Sequence, residues 1–495
     1  MVLDTDLASM QEARDLVRKA KEAQQILATY TAEQIDAILV SIVEAVEVNA
    51  ERLAKMACEE TKYGIVEHKI IKNLFASREV YESTKDIKTV GIISEDPHTK
   101  VIKYAAPMGV LAGVTPRTNP TSTIIHNAIC AIKGANTIVF SPHPFAVRCG
   151  VATAQLINSA AIKAGAPDGV CSCISIPSMK ATEELMHHKD VAAIIATGGP
   201  GLVKSAYSAG KPAFGVGSGN VPAFIERSAD IKQAVNDIMV SKTFDNGMIC
   251  ASEQAIIADE PIKDEVIAEL KRNGAYFLCP EEVKKVAKVV ITPNMAMNNE
   301  LVGQTPDVIA AKAGISIPAG TRILVAPMDG YGKDYPLSHE KLTTVLGFYV
   351  VKDYHEACNL SIELLKLGGI GHSFAIHSQN DGIIREFLAK PVFRILVNTP
   401  STFGGIGKST GLIPSMTLGC GTWGGSSISE NLGPHHLINT KHLTYGLEKF
   451  TFDKNNSTSS SDTVTNRETK TAACDIKSGD IEDVIRQVLK QLKVC

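Results

Sequence analysis

Cys250 is the residue of this chain best placed to do chemistry. It lies in Lys242-Thr243-Phe244-Asp245-Asn246-Gly247-Met248-Ile249-Cys250-Ala251-Ser252-Glu253-Gln254, after a small polar turn and before the apolar run Ala255-Ile256-Ile257-Ala258. A thiol at such a junction can face a cleft while its flanks stay rigid. That suits a nucleophile, which must be reached as its thiolate. The competing reading is an inert buried thiol, the common fate of free cysteine. Other stretches carry groups that a ligand could use. Thr197-Gly198-Gly199-Pro200-Gly201 follows an apolar run and opens a helix, where glycines let the main chain approach a phosphate. It is not the GxGxxG pattern, and a bare glycine turn is more often only a turn. Ser141-Pro142-His143-Pro144 closes another strand, at the kind of sheet edge where α/β proteins bind ligands. Alone, Asn119-Pro120 reads as a turn and Glu340 as a surface carboxylate in a loop.

Metal chemistry is not expected. Eleven cysteines are scattered without a framework, and Cys171-Ser172-Cys173 is too tight for a zinc knuckle. His187-His188 and His435-His436 are neighbours that point apart on a helix, so surface or capping roles are expected for both.

These residues need a frame, and the pattern around them is α/β. Gln11–Leu27 and 32–57 read as helices, the second with Ile35, Ile38, Leu39, Ile42, Val43 and Val46 on one face. Val90, Ile92 and Ile93, a turn cluster at 95–99, then Val101, Ile102 and Tyr104 read as a hairpin. Strands at 110–114, 137–140, 170–176 and 191–196 alternate with helices at 122–133, 145–164 and 181–187. The second half repeats the style, with strands at 254–258, 322–326, 373–377 and 394–398 and helices at 230–240, 262–273, 355–367 and 381–389. Such alternation implies right-handed crossovers and mostly parallel sheets covered on both faces. At 495 residues the chain is too long for one ordinary core, and two α/β domains are expected.

Composition narrows the function. Fifty basic residues against 53 acidic give a net charge of −3, so no basic field exists to hold nucleic acid or an anionic membrane. No apolar run is long enough to span a bilayer, and the N-terminus shows no basic-then-apolar secretory pattern. Free thiols in a reducing cytosol are the simple expectation. Residues 451–474, rich in Ser, Thr, Asn and Asp, read as a flexible linker. After it, Ile481, Val484, Ile485, Val488, Leu489 and Leu492 form one helical stripe within 475–495. So short a helix is marginal alone and needs a partner surface, on this protein or another.

Several runs together carry a resemblance. Among them are Thr118-Asn119-Pro120-Thr121-Ser122, Phe140-Ser141-Pro142-His143-Pro144, Ala196-Thr197-Gly198-Gly199-Pro200-Gly201, the Cys250 segment, His339-Glu340-Lys341-Leu342, Gly368-Gly369-Ile370-Gly371-His372, Gly404-Gly405-Ile406-Gly407 and Leu418-Gly419-Cys420-Gly421-Thr422-Trp423-Gly424-Gly425. Over roughly residues 10–445 the chain resembles the coenzyme A-acylating branch of the aldehyde dehydrogenase superfamily. Its likeness is to the N-terminal half of bifunctional aldehyde–alcohol dehydrogenases.

The resemblance implies a fold of two Rossmann-like α/β domains with a β-hairpin oligomerisation arm. It places an NAD-binding domain at 1–240, with the hairpin at about 89–104, a catalytic domain at 241–430 and a return and oligomerisation segment at 431–450. It implies Cys250 as the nucleophile and Asn119 as an oxyanion donor, with Thr118 as the alternative. Cofactor residues carried over are Ser141, Pro142, His143, Thr197, Gly198, Gly199, Gly201, Gly217 and Glu340, the last on the nicotinamide ribose. The cofactor implied is NAD. Hydrolytic relatives carry a ribose-binding lysine in the stretch that here reads Ser141-Pro142-His143-Pro144, which has none, so NADP stays open. Hydrolytic relatives also carry a water-activating glutamate in a run whose equivalent here is Gly215-Val216-Gly217-Ser218-Gly219-Asn220. Without it, water lacks a general base and coenzyme A is the implied acyl acceptor. His372 is either a proton-transfer or pocket residue or, more simply, structural.

Acetaldehyde or propionaldehyde is the implied substrate, and sulfoacetaldehyde an alternative. A hydrolytic dehydrogenase giving the free acid, or an inactive interaction protein, are the competing functions. The tail resembles encapsulation peptides of bacterial microcompartment enzymes. It implies a cytoplasmic protein held inside such a compartment by shell or cargo contacts of 475–495, while the hairpin at 90–104 and the segment 436–446 match family oligomerisation elements and imply a homodimer or tetramer.

Overall fold

The computed structural model describes residues 4–450. The chain up to Tyr445 forms one compact unit, and a second begins at Gly446. The expected linker at 451–474 and the amphipathic stripe at 475–495 lie outside the described residues.

Two parallel sheets and one antiparallel ribbon build the first unit. The ribbon's hairpin is β1 (Gly91–Asp96) and β2 (Val101–Pro107). A five-stranded sheet follows, from β3 (Val110–Val114), β4 (Thr137–Ser141), β5 (Cys171–Cys173), β6 (Val191–Thr197) and β7 (Ala213–Val216), in the order β5-β4-β3-β6-β7. A seven-stranded sheet takes β8 (Val221–Ile225), β9 (Glu253–Asp259), β10 (Ala275–Phe277), β11 (Ile323–Pro327), β12 (Val345–Val351), β13 (Gly371–His377) and β14 (Val392–Val397), in the order β10-β11-β12-β9-β8-β13-β14. Finally β15 (Ile438–Thr444) pairs antiparallel with β2, joining the hairpin to the chain's return.

Parallel strands covered on both faces must be apolar at every position, and their residues divide between two cores. On β9, Ala255 and Ile257 enter one cluster while Ile256 and Ala258 enter the opposite one. On β3, Leu111 faces the helix Ala32–Thr61, whereas Val110, Ala112 and Val114 face the helix Thr5–Leu27. The N-terminal helices therefore cover opposite faces of the first sheet. A capping box, Thr31 with Gln34, starts the second of them.

The chain leaves the first sheet after Val216 and enters the second at Val221, some twenty residues before 240. β8 and the helix Ile231–Thr243 thus belong with the second sheet. Pro222 weakens β8 as a strand pattern, and it sits beside a register shift against β9 where a missing N–H is tolerated. β5 is shorter than the expected 170–176. Ser175 and Ile176 turn their N–H groups to the Glu12 carboxylate instead of a neighbouring strand. Past β14 the chain returns to the first sheet, where Ile406, Met416, Leu418, Leu432 and Leu437 share a core with Ile138 and Phe140. Among the described residues no helix is long and apolar enough to cross a membrane.

Candidate active site

Cys250 ends the segment that links the helix Ile231–Thr243 to β9. That segment turns through three consecutive left-handed residues, Asp245 (φ 50°), Asn246 (φ 53°) and Gly247 (φ 77°). Asp and Asn tolerate this region better than most residues, and here they are over-determined. Asp245 donates its N–H to His68 Nδ1 at 2.7 Å, and its carboxylate accepts the Ile65 N–H at 2.7 Å. Asn246 Nδ2 donates to the Gly303 carbonyl at 2.8 Å. Strain held in this way can aim a side chain.

The aim is into a cavity of 290 Å³. Parallel strands β3, β6 and β7 bring their C-terminal ends to its edge, so the loops after them supply its wall. Thr118 and Asn119 come from the loop after β3, and Thr197, Gly198 and Gly199 from the end of β6. Gly217 follows β7, and His143, Glu340 and Cys250 complete the set. Four expected residues stand outside. Ser141 is buried at the end of β4 with its hydroxyl 2.8 Å from Thr182 Oγ1. Pro142 is buried beside it, and Gly201 faces solvent. His372 is fully buried, its Nδ1 2.9 Å from Ser373 Oγ, and a Cβ placed on Gly219 would lie 3.4 Å from its ring. Burial pulls the His372 imidazole down to about 3, and its Nε2 is buried without a hydrogen-bond partner.

Cys250 is half-buried, and its thiol is pushed up to about 12 by burial, with Glu340 and Cys420 adding to the shift. The resting group is therefore a thiol. Its own N–H is turned toward the sulfur. Glu340 is raised to about 7 by burial, against the pull of the Gly219 N–H at 2.7 Å. Among the described residues that line the cavity, Glu340 is the only carboxylate.

Charged residues behind the wall fix this geometry. Lys72 Nζ donates to Asn119 Oδ1 at 2.6 Å, and Lys69 Nζ to the Thr118 carbonyl at 2.9 Å. Both meet Asp245. Lys242 Nζ ties the Glu253 carbonyl (2.9 Å) to the Lys341 carbonyl (3.1 Å), so the Glu340 segment cannot drift from the Cys250 segment. Arg394 joins the carbonyls of His372 and Gly419. Arg117, on the cavity wall, stacks its guanidinium on Tyr63 at 3.9 Å and Phe145 at 4.6 Å.

Among the described residues, Glu430, His435 and His436 also bring three ligand-type groups together. The Gly433 N–H donates to His436 Nδ1 at 3.1 Å, so Nε2 carries the proton toward Glu430 at 3.3 Å. His436 caps its turn and has no lone pair left for a metal.

A family model described as "Aldehyde dehydrogenase family" matches residues 1–277. The chain belongs to the aldehyde dehydrogenase family. It is 43% identical over 454 residues to the bifunctional aldehyde–alcohol dehydrogenase of Escherichia coli, covering 90% of this chain and 51% of that one. It thus spans about half the length of the curated relatives it matches first. An acetylating aldehyde dehydrogenase from Geobacillus thermoglucosidasius superposes with a TM-score of 0.90 at 50% identity, over 91% of this chain and 100% of that one. Two propionaldehyde dehydrogenases superpose with TM-scores of 0.80, each over 88% of this chain and 97% of theirs. One, at 31% identity, comes from the Clostridium phytofermentans fucose utilisation bacterial microcompartment. The other, from Rhodopseudomonas palustris at 28% identity, holds CoA and an acylated cysteine.

The sequence alone carries no signal for Lys69, Lys72, Lys242 and Arg394. Isolated lysines in helices read as solvated, and only the helical spacing of 69 and 72 places both on one face.

Proposed function

We propose that this aldehyde dehydrogenase converts a short aldehyde, coenzyme A and NAD to acyl-CoA and NADH. One observation carries the reading. Cys250 and the Asn119 amide share a cavity whose wall at Val216–Ser218 offers no carboxylate to activate water.

Cys250 loses its thiol proton to solvent, and the thiolate attacks the aldehyde carbonyl. The oxygen gains negative charge, and the Cys250 N–H and Asn119 Nδ2 are the donors that receive it. The residues around the cavity fit a dinucleotide. Thr197 Oγ1 is buried without a partner, Gly199 leaves open space where a Cβ would stand, and both precede the N-terminus of the helix Pro200–Ser208. Glu340 would hold the nicotinamide ribose, and His143 and Gly217 border it. NAD supplies the hydride acceptor when bound, which leaves Cys250 as a thioester. The coenzyme A thiolate then attacks that thioester, the same donors meet the second oxyanion, and Cys250 departs as thiolate. The thioester with CoA in the Rhodopseudomonas relative supports this order.

In this reading the five-stranded sheet serves NAD and the seven-stranded sheet carries the nucleophile. The ribbon of β1, β2 and β15 would pair subunits. Residues 475–495 would dock on a microcompartment shell, in keeping with the Clostridium relative. Deleting 475–495 tests the docking: activity should persist and co-purification with shell particles should cease.

Steady-state assays with acetaldehyde, propionaldehyde and sulfoacetaldehyde test the reaction. NADH and acyl-CoA should form one for one and only with coenzyme A. NADH at the full rate without coenzyme A, with free acid as product, would overturn the acyl-transfer reading. Cys250→Ala should lower turnover at least about 1,000-fold while the protein stays folded.

A further inference from the structure

We propose that Lys72 is a positioning residue: its buried ammonium holds Asn119 Oδ1 and so turns Nδ2 away from itself, making Asn119, and not Thr118, the side-chain donor to the oxyanion in the cavity it shares with Cys250. The inference rests on the acyl-transfer reading above.

Lys72 is 2% exposed. Its Nζ meets three acceptors: Asn119 Oδ1 at 2.6 Å, Asp245 Oδ2 at 2.5 Å and the Met248 carbonyl at 3.1 Å. An ammonium has three hydrogens and no lone pair, so all three contacts are used and each partner must be an acceptor. Asn119 therefore has to present its oxygen to Lys72. Turning the amide over would set its NH2 against the NH3⁺. The Met248 carbonyl that accepts from Lys72 also accepts from Asn119 Nδ2 at 3.2 Å. The remaining Nδ2 hydrogen makes only a long, 3.3 Å contact with Thr118 Oγ1, which a charged oxygen in the cavity would displace.

Polarisation adds to orientation. A cation bonded to an amide oxygen draws charge from the nitrogen and strengthens its N–H as a donor. Lys69 supports the same loop, donating to the Thr118 carbonyl at 2.9 Å and to Asp245 Oδ2 at 3.1 Å. Two ammonium groups thus face one carboxylate, and an uncancelled positive charge stands behind the donor. Asp245 reaches both lysines because it belongs to the left-handed turn that aims Cys250. Nucleophile and oxyanion loop are therefore locked to the same three charges.

The test is a double-mutant cycle read by the pre-steady-state burst of NADH. Lys72→Met should lower the burst about 10- to 100-fold with little change in the aldehyde KM, because only the transition state loses a donor. Asn119→Ala should cost about 100- to 1,000-fold. Adding Lys72→Met to Asn119→Ala should then cost less than about twofold, since the lysine acts through the missing amide. Iodoacetamide alkylation of Cys250 develops no oxyanion and should proceed at similar rates in all variants, which confirms a folded site. Should Lys72→Met not fold, Lys72→Gln keeps one donor for Asn119 Oδ1 and should show an intermediate loss that again vanishes in Asn119→Ala. An unchanged burst, or losses that multiply independently, would overturn the proposal. Failure of the wild-type enzyme to oxidise aldehyde would instead overturn the reading beneath it.

Discussion

Two pairs of buried lysines flank Cys250, and they are satisfied by different means. Lys69 and Lys72 share the Asp245 carboxylate. Lys242 and Lys341 end on main-chain carbonyls, those of Glu253 and Lys341 for the first, Leu337 and His339 for the second. A carbonyl dipole satisfies an N–H without cancelling its charge. Burial accordingly pulls Lys242 down to about 7 and Lys341 well below the ordinary lysine range. Burial lowers Lys72 as well, to about 8, but Asp245 pushes back. Although burial opposes it, the two lysines hold the Asp245 carboxyl down at about 2. The first pair is a charged support for the loop at Thr118 and Asn119. The second is a staple between the segments that bear Cys250 and Glu340.

The sharpest way to break this contrast is Asp245→Asn. It leaves two buried ammonium groups without a counter-ion and should cost about 3–5 kcal/mol, measured by urea unfolding at pH 7. A loss below about 1 kcal/mol would mean that ion pairing does not hold the pair. Lys242→Met orphans the Glu253 and Lys341 carbonyls and the Gln254 side-chain oxygen, removes a charge that faces Glu253 and Glu340, and should cost about 1–3 kcal/mol. Its pH dependence has a definite sign. Lys242 binds its proton less tightly folded than unfolded, so from pH about 7 to 10.5 the unfolded chain carries more protons and wild-type stability should rise. Lys242→Met should flatten that rise, and an unchanged slope would contradict the staple. The smallest effect expected is chemical. Ionised Glu340 raises the Cys250 thiol, so Glu340→Gln should speed iodoacetamide alkylation at pH 8 by a few-fold, roughly three. Slower alkylation would identify Glu340 as the base that takes the thiol proton.

The frame was readable where burial is two-sided. Runs such as Ala255-Ile256-Ile257-Ala258 are apolar throughout because β9 has a core on each face. β12 carries an equally plain pattern, Val345 to Val351, and went unread. β8 was not legible because it is short and contains Pro222. At the site, Cys250 stands out by its turn, whereas Asn119 and Glu340 are singled out only through the family resemblance, since alone they read as a turn and a surface carboxylate. Lys72 could not be found, since its meaning depends on Asp245, 173 residues away. His372 sits in a glycine turn and is fully buried, which its sequence surroundings do not reveal.

Gly219 backs Cys250 so closely that a Cβ there would lie 2.0 Å from its carbonyl oxygen. At Gly217 a Cβ would meet nothing within 4 Å. The two glycines therefore differ as starting points for redesign. A carboxylate grafted to release free acid has room to enter at 217, whereas any side chain at 219 pushes the nucleophile off its mark. The loop's glycines are a map of which products this scaffold can be taught to make.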